Sequence, residues 1–213
     1  MTAGDVADQM ERLNDEVEHC TRCELHCNTT HGVPGEGPFD ASIMLVGEGP
    51  GFNEDKQGRP FVGAAGRFLE ELLAVAGLTR RKVYITNVVK HRPPNNRDPQ
   101  PHELAACRPY LERQIALIRP RVVVTLGRHS LGTFCPGTMI SKVHGQVHEQ
   151  SGRHLFHLYH PAAALHQERL RQTLLDDMST LADFLRREPD GLEHDHAERA
   201  DLDSDSPEQL SLF

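Results

Sequence analysis

The chain has 213 residues, 25% charged and 38% apolar, enough to bury one sizeable core in a single domain. No run approaches the roughly 18 apolar residues of a membrane span, and the first ten residues hold neither a basic n-region nor an apolar h-region. Neither a bilayer span nor a secretory signal is expected, and a cytoplasmic protein is. The formal charge of −8 lies in residues 188–208, which hold nine of the 31 acids and one of the 23 bases, so the neutral remainder leaves a polyanionic partner open.

In chain order, residues 42–47 (SIMLVG) read as a buried strand. Residues 64–77 follow with Phe68, Leu69, Leu72, Leu73 and Ala76 at helical spacing and a glycine stop. Residues 83–87 predict a second strand. After the Pro/Asn-rich loop 92–101, residues 102–118 place Leu104, Cys107, Leu111, Ile115 and Ile118 on one helical face, and Pro120 ends it. Residues 121–127 predict a third strand and 128–134 a short helix. A hairpin around Ser151-Gly152 leads to a fourth core strand, 155–159, and a long helix runs over 162–187. Strands alternating with helices predict an α/β fold, a three-layer α/β/α sandwich with a central four-stranded, mainly parallel sheet and ligands at its carboxyl edge. Residues 1–187 are expected to form the domain. Residues 188–213, with few apolar side chains, read as a disordered acidic tail.

The strand ends carry the chemistry. The first stops in Gly47-Glu48-Gly49-Pro50-Gly51, where glycines let the backbone approach a flat ligand or a phosphate, or simply turn the chain into a helix. No Gly-Lys-Ser/Thr follows, so no nucleotide cofactor is expected. Asn87 offers the paired donor and acceptor that complement a pyrimidine's edge, or else closes an Asx turn. His160-Pro161 places an imidazole where it can donate to a carbonyl that gains charge, or cap a helix.

Five cysteines, with Cys20, Cys23 and Cys27 crowded together, suggest metal chemistry rather than a disulfide framework in a reducing compartment. Cys20, Cys23 and Cys107 supply three soft ligands, with His91 or Cys27 as a fourth. This spacing suits zinc and an iron–sulfur cluster alike. Cys135 reads as a small buried hydrophobe.

Six ordered motifs stand out: Gly47–Gly51 with Glu54-Asp55, Gly58-Arg-Pro-Phe-Val-Gly63-Ala-Ala-Gly66, Tyr84-Ile-Thr-Asn87-Val-Val-Lys90, Arg92-Pro-Pro-Asn-Asn96-Arg97, Cys107-Arg-Pro and His160-Pro161. Together they resemble the type-4 uracil-DNA glycosylases, the iron–sulfur branch of the uracil-DNA glycosylase superfamily, over about residues 20–185. The resemblance implies a monofunctional hydrolase that flips uracil from DNA and cleaves its N-glycosidic bond. It implies that Gly47, Glu48 and Gly49 floor the uracil pocket, that Phe61 stacks on the base, that Asn87 reads it, and that His160 both binds it and stabilises it as it leaves. Glu54 and Asn96 match catalytic positions, and Arg59 and Lys90 are reasonable phosphate contacts. A structural 4Fe-4S cluster follows from the same likeness, with zinc as the alternative.

The chain departs from the family pattern at Lys90-His91-Arg92-Pro93-Pro94, where the family usually has Lys-Cys-Arg-Pro-Pro. A histidine can ligate cluster iron, so the expected ligands are Cys20, Cys23, His91 and Cys107, with Cys27 as substitute. The last five residues resemble a sliding-clamp docking peptide, with Gln209, Leu210, Leu212 and Phe213 as contacts. Uracil-containing DNA is thus the expected partner of a protein expected to be monomeric. The competing reading is a catalytically inactive DNA-binding or scaffold protein of the same fold. Against a hydrolase or nucleotide-binding enzyme of another class stands the lack of a Gly-x-Ser-x-Gly elbow and of a phosphate-loop lysine.

Overall fold

A computed structural model describes residues 2–150, 152–165 and 167–187. The acidic tail and its candidate clamp residues Gln209, Leu210, Leu212 and Phe213 lie outside the described residues. Helix α1, Ala3–Glu18, opens the chain and goes beyond the elements expected above. Its Thr2 cap and Asp5 exchange hydrogen bonds in a capping box, at 3.2 and 2.9 Å. The pattern that drives it is Met10, Leu13 and Val17, three apolar residues among charged ones, a sparse signal until a partner face is known.

The strands are β1 (Ile43–Gly47), β2 (Tyr84–Asn87), β3 (Val122–Leu126), β4 (Val147–Gln150) and β5 (Arg153–Leu158). Their spatial order is β2-β1-β3-β5-β4. The first four in that order run parallel, and β4 adds an antiparallel edge through the expected hairpin. The sheet is therefore five-stranded and mixed, where four strands were expected. The fifth is the hairpin's first arm, whose half-exposed residues give it no core signature.

The parallel strands are buried on both faces, so alternate residues feed two cores. Ile43, Leu45, Val122, Val124, Phe156 and Leu158 face one layer. That layer comprises α3 (Ala64–Val75), α7 (Pro161–Ala164) and α8 (Glu168–Arg187). Met44, Val46, Tyr84, Val123 and Leu155 face α1, α4 (Pro101–Ile118) and α5 (Arg128–Phe134). Two short helices, α2 (Phe52–Gln57) and α6 (Ile140–Val143), lie in the connections. The three-layer sandwich is thus as expected.

The expected single helix over 162–187 is broken between α7 and α8. In one ideal helix Ala164 would sit about 70° around the axis from the stripe Leu174, Met178, Leu181 and Leu185. The break lets both reach the same core. Among the described residues no helix is long and apolar enough to cross a membrane.

Inside the sheet, His157 is 1% exposed, contacts the Thr125 hydroxyl at 2.8 Å and stacks near His148. Burial first, and His148 second, push its pKa down to about 4. The unfolded chain, titrating near the ordinary 6.5, binds that proton more readily. The folded state is therefore favoured above about pH 6.5 and loses stability as pH falls toward 4. Urea midpoints should drop between pH 7.5 and pH 5, and His157→Gln should flatten that slope. An equal slope in the variant would remove His157 from the account.

Candidate active site

The carboxyl ends of β1, β2 and β5 converge on one cavity of ≈390 Å³. This is the crevice where parallel α/β sheets receive ligands. The parallel register pairs Gly47 with Asn87, setting the glycine loop and the amide side by side. A Cβ at Gly47 would lie 2.3 Å from Asn87 Oδ1 and 2.7 Å from the Phe61 ring, so only glycine lets these groups meet. Asn87 is buried, and its Oδ1 has no hydrogen-bond partner among the described residues. A buried acceptor left unpaired costs about 1–3 kcal/mol, a cost that a ligand donor in the cavity would remove.

Phe61 is held in the left-handed region at φ 53°. Arg80 fixes this strained turn by donating to the carbonyls of Phe61 (2.9 Å) and Pro60 (2.7 Å) while also pairing with Glu36. From the other side, Glu54 Oε1 accepts the backbone N–H groups of Val62 and Gly63, both at 2.9 Å. The Phe61 ring thereby becomes a fixed wall of the cavity, stacked with the His160 ring at a centroid distance of 5.8 Å and an angle of 28°.

His160 begins α7 and its Nδ1 accepts the Ala162 N–H at 3.2 Å. Burial pushes its pKa down to about 4, against a smaller opposing pull from Glu54. At neutral pH the ring is uncharged, and with Nδ1 accepting, the proton resides on Nε2. The site thus holds a neutral imidazole donor.

Asn96 lines the same cavity from a turn in which Asn95 and Asn96 both have positive φ, 55° and 52°. Asparagine tolerates this region better than most residues. Arg92 Nε donates to Asn96 Oδ1 at 2.7 Å, and Arg97 ties the loop to α4 through a two-point pair with the buried carboxylate of Glu103. Beyond the expected residues, the structure brings His129 and Asp98 to Glu48. Burial raises the Glu48 carboxyl, His129 opposes this and Asp98 adds to it. Neither residue carries a motif, and their proximity arises where the loop after Asn96 meets the start of α5. The expected cavity residues Glu48, Gly49, Glu54, Phe61, Asn87, Asn96 and His160 all line it, and Gly47 adjoins it.

The two expected phosphate contacts both hold other partners. Lys90 is fully buried and gives its ammonium to Thr86 Oγ1, the Asn87 carbonyl and Gln114 Oε1 at 2.7 to 2.8 Å. Arg59 is committed to Glu36 by two hydrogen bonds.

Two of the cysteines meet beside the Lys90 backbone. Cys23 and Cys107 are in hydrogen-bond contact, which draws the Cys23 thiol down to about 6, while that contact and burial push Cys107 up. Leu25, Val89 and Cys107 form a small apolar cluster against which Cys23 packs. Backbone N–H groups point at the sulfurs of Cys20 (from Arg22, 3.5 Å) and Cys107 (from Lys90, 3.4 Å). Such donors are what ligating thiolates require, so these residues suit a sulfur-ligated group. His91 is buried, and burial lowers its pKa. Cys27 is exposed and contacts the His26 ring.

The model of the uracil DNA glycosylase superfamily matches residues 34–180. A type-4 uracil-DNA glycosylase of Sulfurisphaera tokodaii is 47% identical over 187 residues, covering 83% of this chain and 85% of the relative. One from Thermotoga maritima is 46% identical over 184 residues, covering 84% and 96%. A type-5 uracil-DNA glycosylase of Thermus thermophilus is more distant, 37% identical over 149 residues, covering 60% and 68%.

Gly47→Ala should fold, with a melting temperature lower by roughly 2–12 °C from overpacking of about 1–3 kcal/mol, and should close the cavity to a base. Calorimetry together with binding of free uracil checks this. Unimpaired uracil binding would show that Asn87 and Phe61 do not bound the base site.

Proposed function

Because this chain belongs to the uracil DNA glycosylase superfamily and resembles most its type-4 members, we propose that the cavity at the sheet edge is where its uracil-DNA glycosylase activity is carried out. The protein is a DNA N-glycosylase, a hydrolase acting on uracil-containing DNA. The observation that carries the reading of the pocket is Asn87: a buried amide, its oxygen unpaired, beside the Phe61 wall and the glycine loop. A flipped uracil stacks on Phe61 over Gly47, Glu48 and Gly49. Its N3–H pairs with Asn87 Oδ1 and its O4 accepts from the amide nitrogen. Cytosine presents the opposite pattern at both atoms.

As the bond from C1′ to N1 breaks, its electron pair passes into the uracil ring and charge gathers on O2. The neutral His160 donates to that oxygen, a type of contact worth about 10²–10³ in rate. The sugar gains positive character, which the fixed Glu54 carboxylate favours. Water adds its hydroxyl to C1′ beside Asn96, and the water's other proton passes to Glu54 and then to the departing base. Nothing in these steps requires a divalent ion or a redox cofactor.

A 4Fe-4S cluster held by Cys20, Cys23, His91 and Cys107 belongs to the same proposal, in a structural role. It would tie the segment after α1 to α4 and to the loop that bears Asn96. Burial lowers the His91 pKa, in the direction of the neutral ring that ligation demands, and Cys27 lies exposed. Zinc, which takes the same cysteine and histidine donors, is the alternative. Docking on a sliding clamp through Gln209, Leu210, Leu212 and Phe213 completes the proposal and would raise the enzyme's local concentration at replicating DNA.

The protein should release free uracil from a uracil-containing oligonucleotide in EDTA, leaving an alkali-labile site. No release from single- or double-stranded substrate by folded protein would overturn the activity. Asn87→Asp should weaken discrimination between uracil and cytosine, and unchanged selectivity would take Asn87 out of base reading.

Anaerobically purified protein should be brown, with stoichiometric iron and sulfide. His91→Ala should lose iron while Cys27→Ala keeps it. The reverse pattern would exchange the fourth ligand, and a colourless protein with stoichiometric zinc would overturn the cluster.

A further inference from the structure

Directly after Gly51, which lines the cavity, Phe52 projects from α2 and is 50% exposed. Large apolar side chains so exposed are few among the described residues, and this one is flanked by charge. Lys56 Nζ lies 4.5 Å and Arg92 Cζ 5.1 Å from the centre of its ring. Around the cavity Arg59, Arg80, Arg97 and Arg128 each pair with a carboxylate. Lys56 and Arg92 have no carboxylate partner among the described residues. Arg92 also donates to Asn96 Oδ1, so this aromatic patch is joined directly to the cavity rim.

We propose that Phe52 is a stacking platform for the base next to the flipped uridine, and that Lys56 and Arg92 take the flanking phosphates. This rests on the glycosylase reading above and deepens it. Two like charges held over one exposed ring repel each other and gain little from it, roughly two- to fivefold each in an equilibrium constant. A nucleobase on an exposed aromatic gains more, about 5- to 150-fold, because every base has a π-face and the ring is already fixed. DNA therefore displaces the cations from the ring onto its own phosphates, where each also releases counterions. The exchange leaves no charge unpaired. It asks for a strand whose bases can be splayed, as beside a flipped nucleotide, and it carries no sequence preference.

The test uses the full chain and a labelled, uracil-free single-stranded deoxyoligonucleotide, so that it reads binding rather than excision. Uracil release by the unmodified protein separately judges the glycosylase reading. Phe52→Ala should bind about 5- to 150-fold more weakly, roughly 1–3 kcal/mol at 1.4 kcal/mol per tenfold. The dependence of affinity on salt should stay as it was. Lys56→Gln should instead lower the salt slope by about 0.7. The chain contains no tryptophan, so Phe52→Trp provides a single indole whose emission should be quenched when DNA binds, with affinity retained. Affinity of Phe52→Ala within twofold of the unmodified protein would overturn the platform, as would an unquenched indole. A fall in salt slope for Phe52→Ala equal to that of Lys56→Gln would also overturn it, since the ring would then only hold the cations in place.

Discussion

The ammonium of Lys90 is buried at the junction of nearly everything that matters in this fold. Its three donors reach β2 through Thr86 and the Asn87 carbonyl, and α4 through Gln114, whose own amide donates to the Pro34 carbonyl. Its backbone N–H meets the sulfur of Cys107. The end of β2, which carries the Asn87 amide, is thereby linked to the thiol pocket. Burial pulls the Lys90 pKa down to about 7, and leaving one of these buried polar groups without its partner costs about 1–3 kcal/mol, so the elements that supply them are positioned together.

Around that junction the cavity stores unfavourable terms that a ligand can recover. Asn87 Oδ1 is unpaired, Phe61 and the Asn95-Asn96 turn sit at positive φ, and His160 is kept neutral by burial. Each strained residue costs about 1–3 kcal/mol and persists because neighbours over-determine it. For Phe61 those neighbours are Arg80 and Glu54. For the asparagine turn they are Arg92 and the Arg97–Glu103 pair. Glu54 is thus anchored to the backbone while it lines the cavity, and its carboxylate is fixed in direction.

Electrostatics divide the surface by role. The body is formally neutral, and most of its arginines near the cavity are tied to carboxylates, which fixes loops more than it attracts DNA. The exposed Arg59–Glu36 pair contributes about 0–1 kcal/mol, so its value is geometric. Affinity for a polyanion comes from cations without a carboxylate partner, and Lys56 and Arg92 beside Phe52 are, among the described residues, two such groups at the rim.

The sequence by itself determined the four parallel strands, the long core helices and the residues at the strand ends. β-branched runs, helical spacing and glycine turns are local signals, and Gly47, Phe61, Asn87, Asn96 and His160 stand in ordered motifs. Only tertiary structure decided the rest. Helix α1 carries too few apolar residues to be legible without the α4 face it packs against. The break between α7 and α8 is set by where the core lies relative to two stripes of one sequence. Lys90 reads as a surface cation in a Lys-His-Arg run and becomes a buried hub because Thr86, Asn87 and Gln114 converge on it from separate elements. Phe52 reads as one more apolar residue until two cations, four and forty residues away, are found against its ring. In each case the deciding quantity is which distant groups share a space, and a linear pattern holds no term for that.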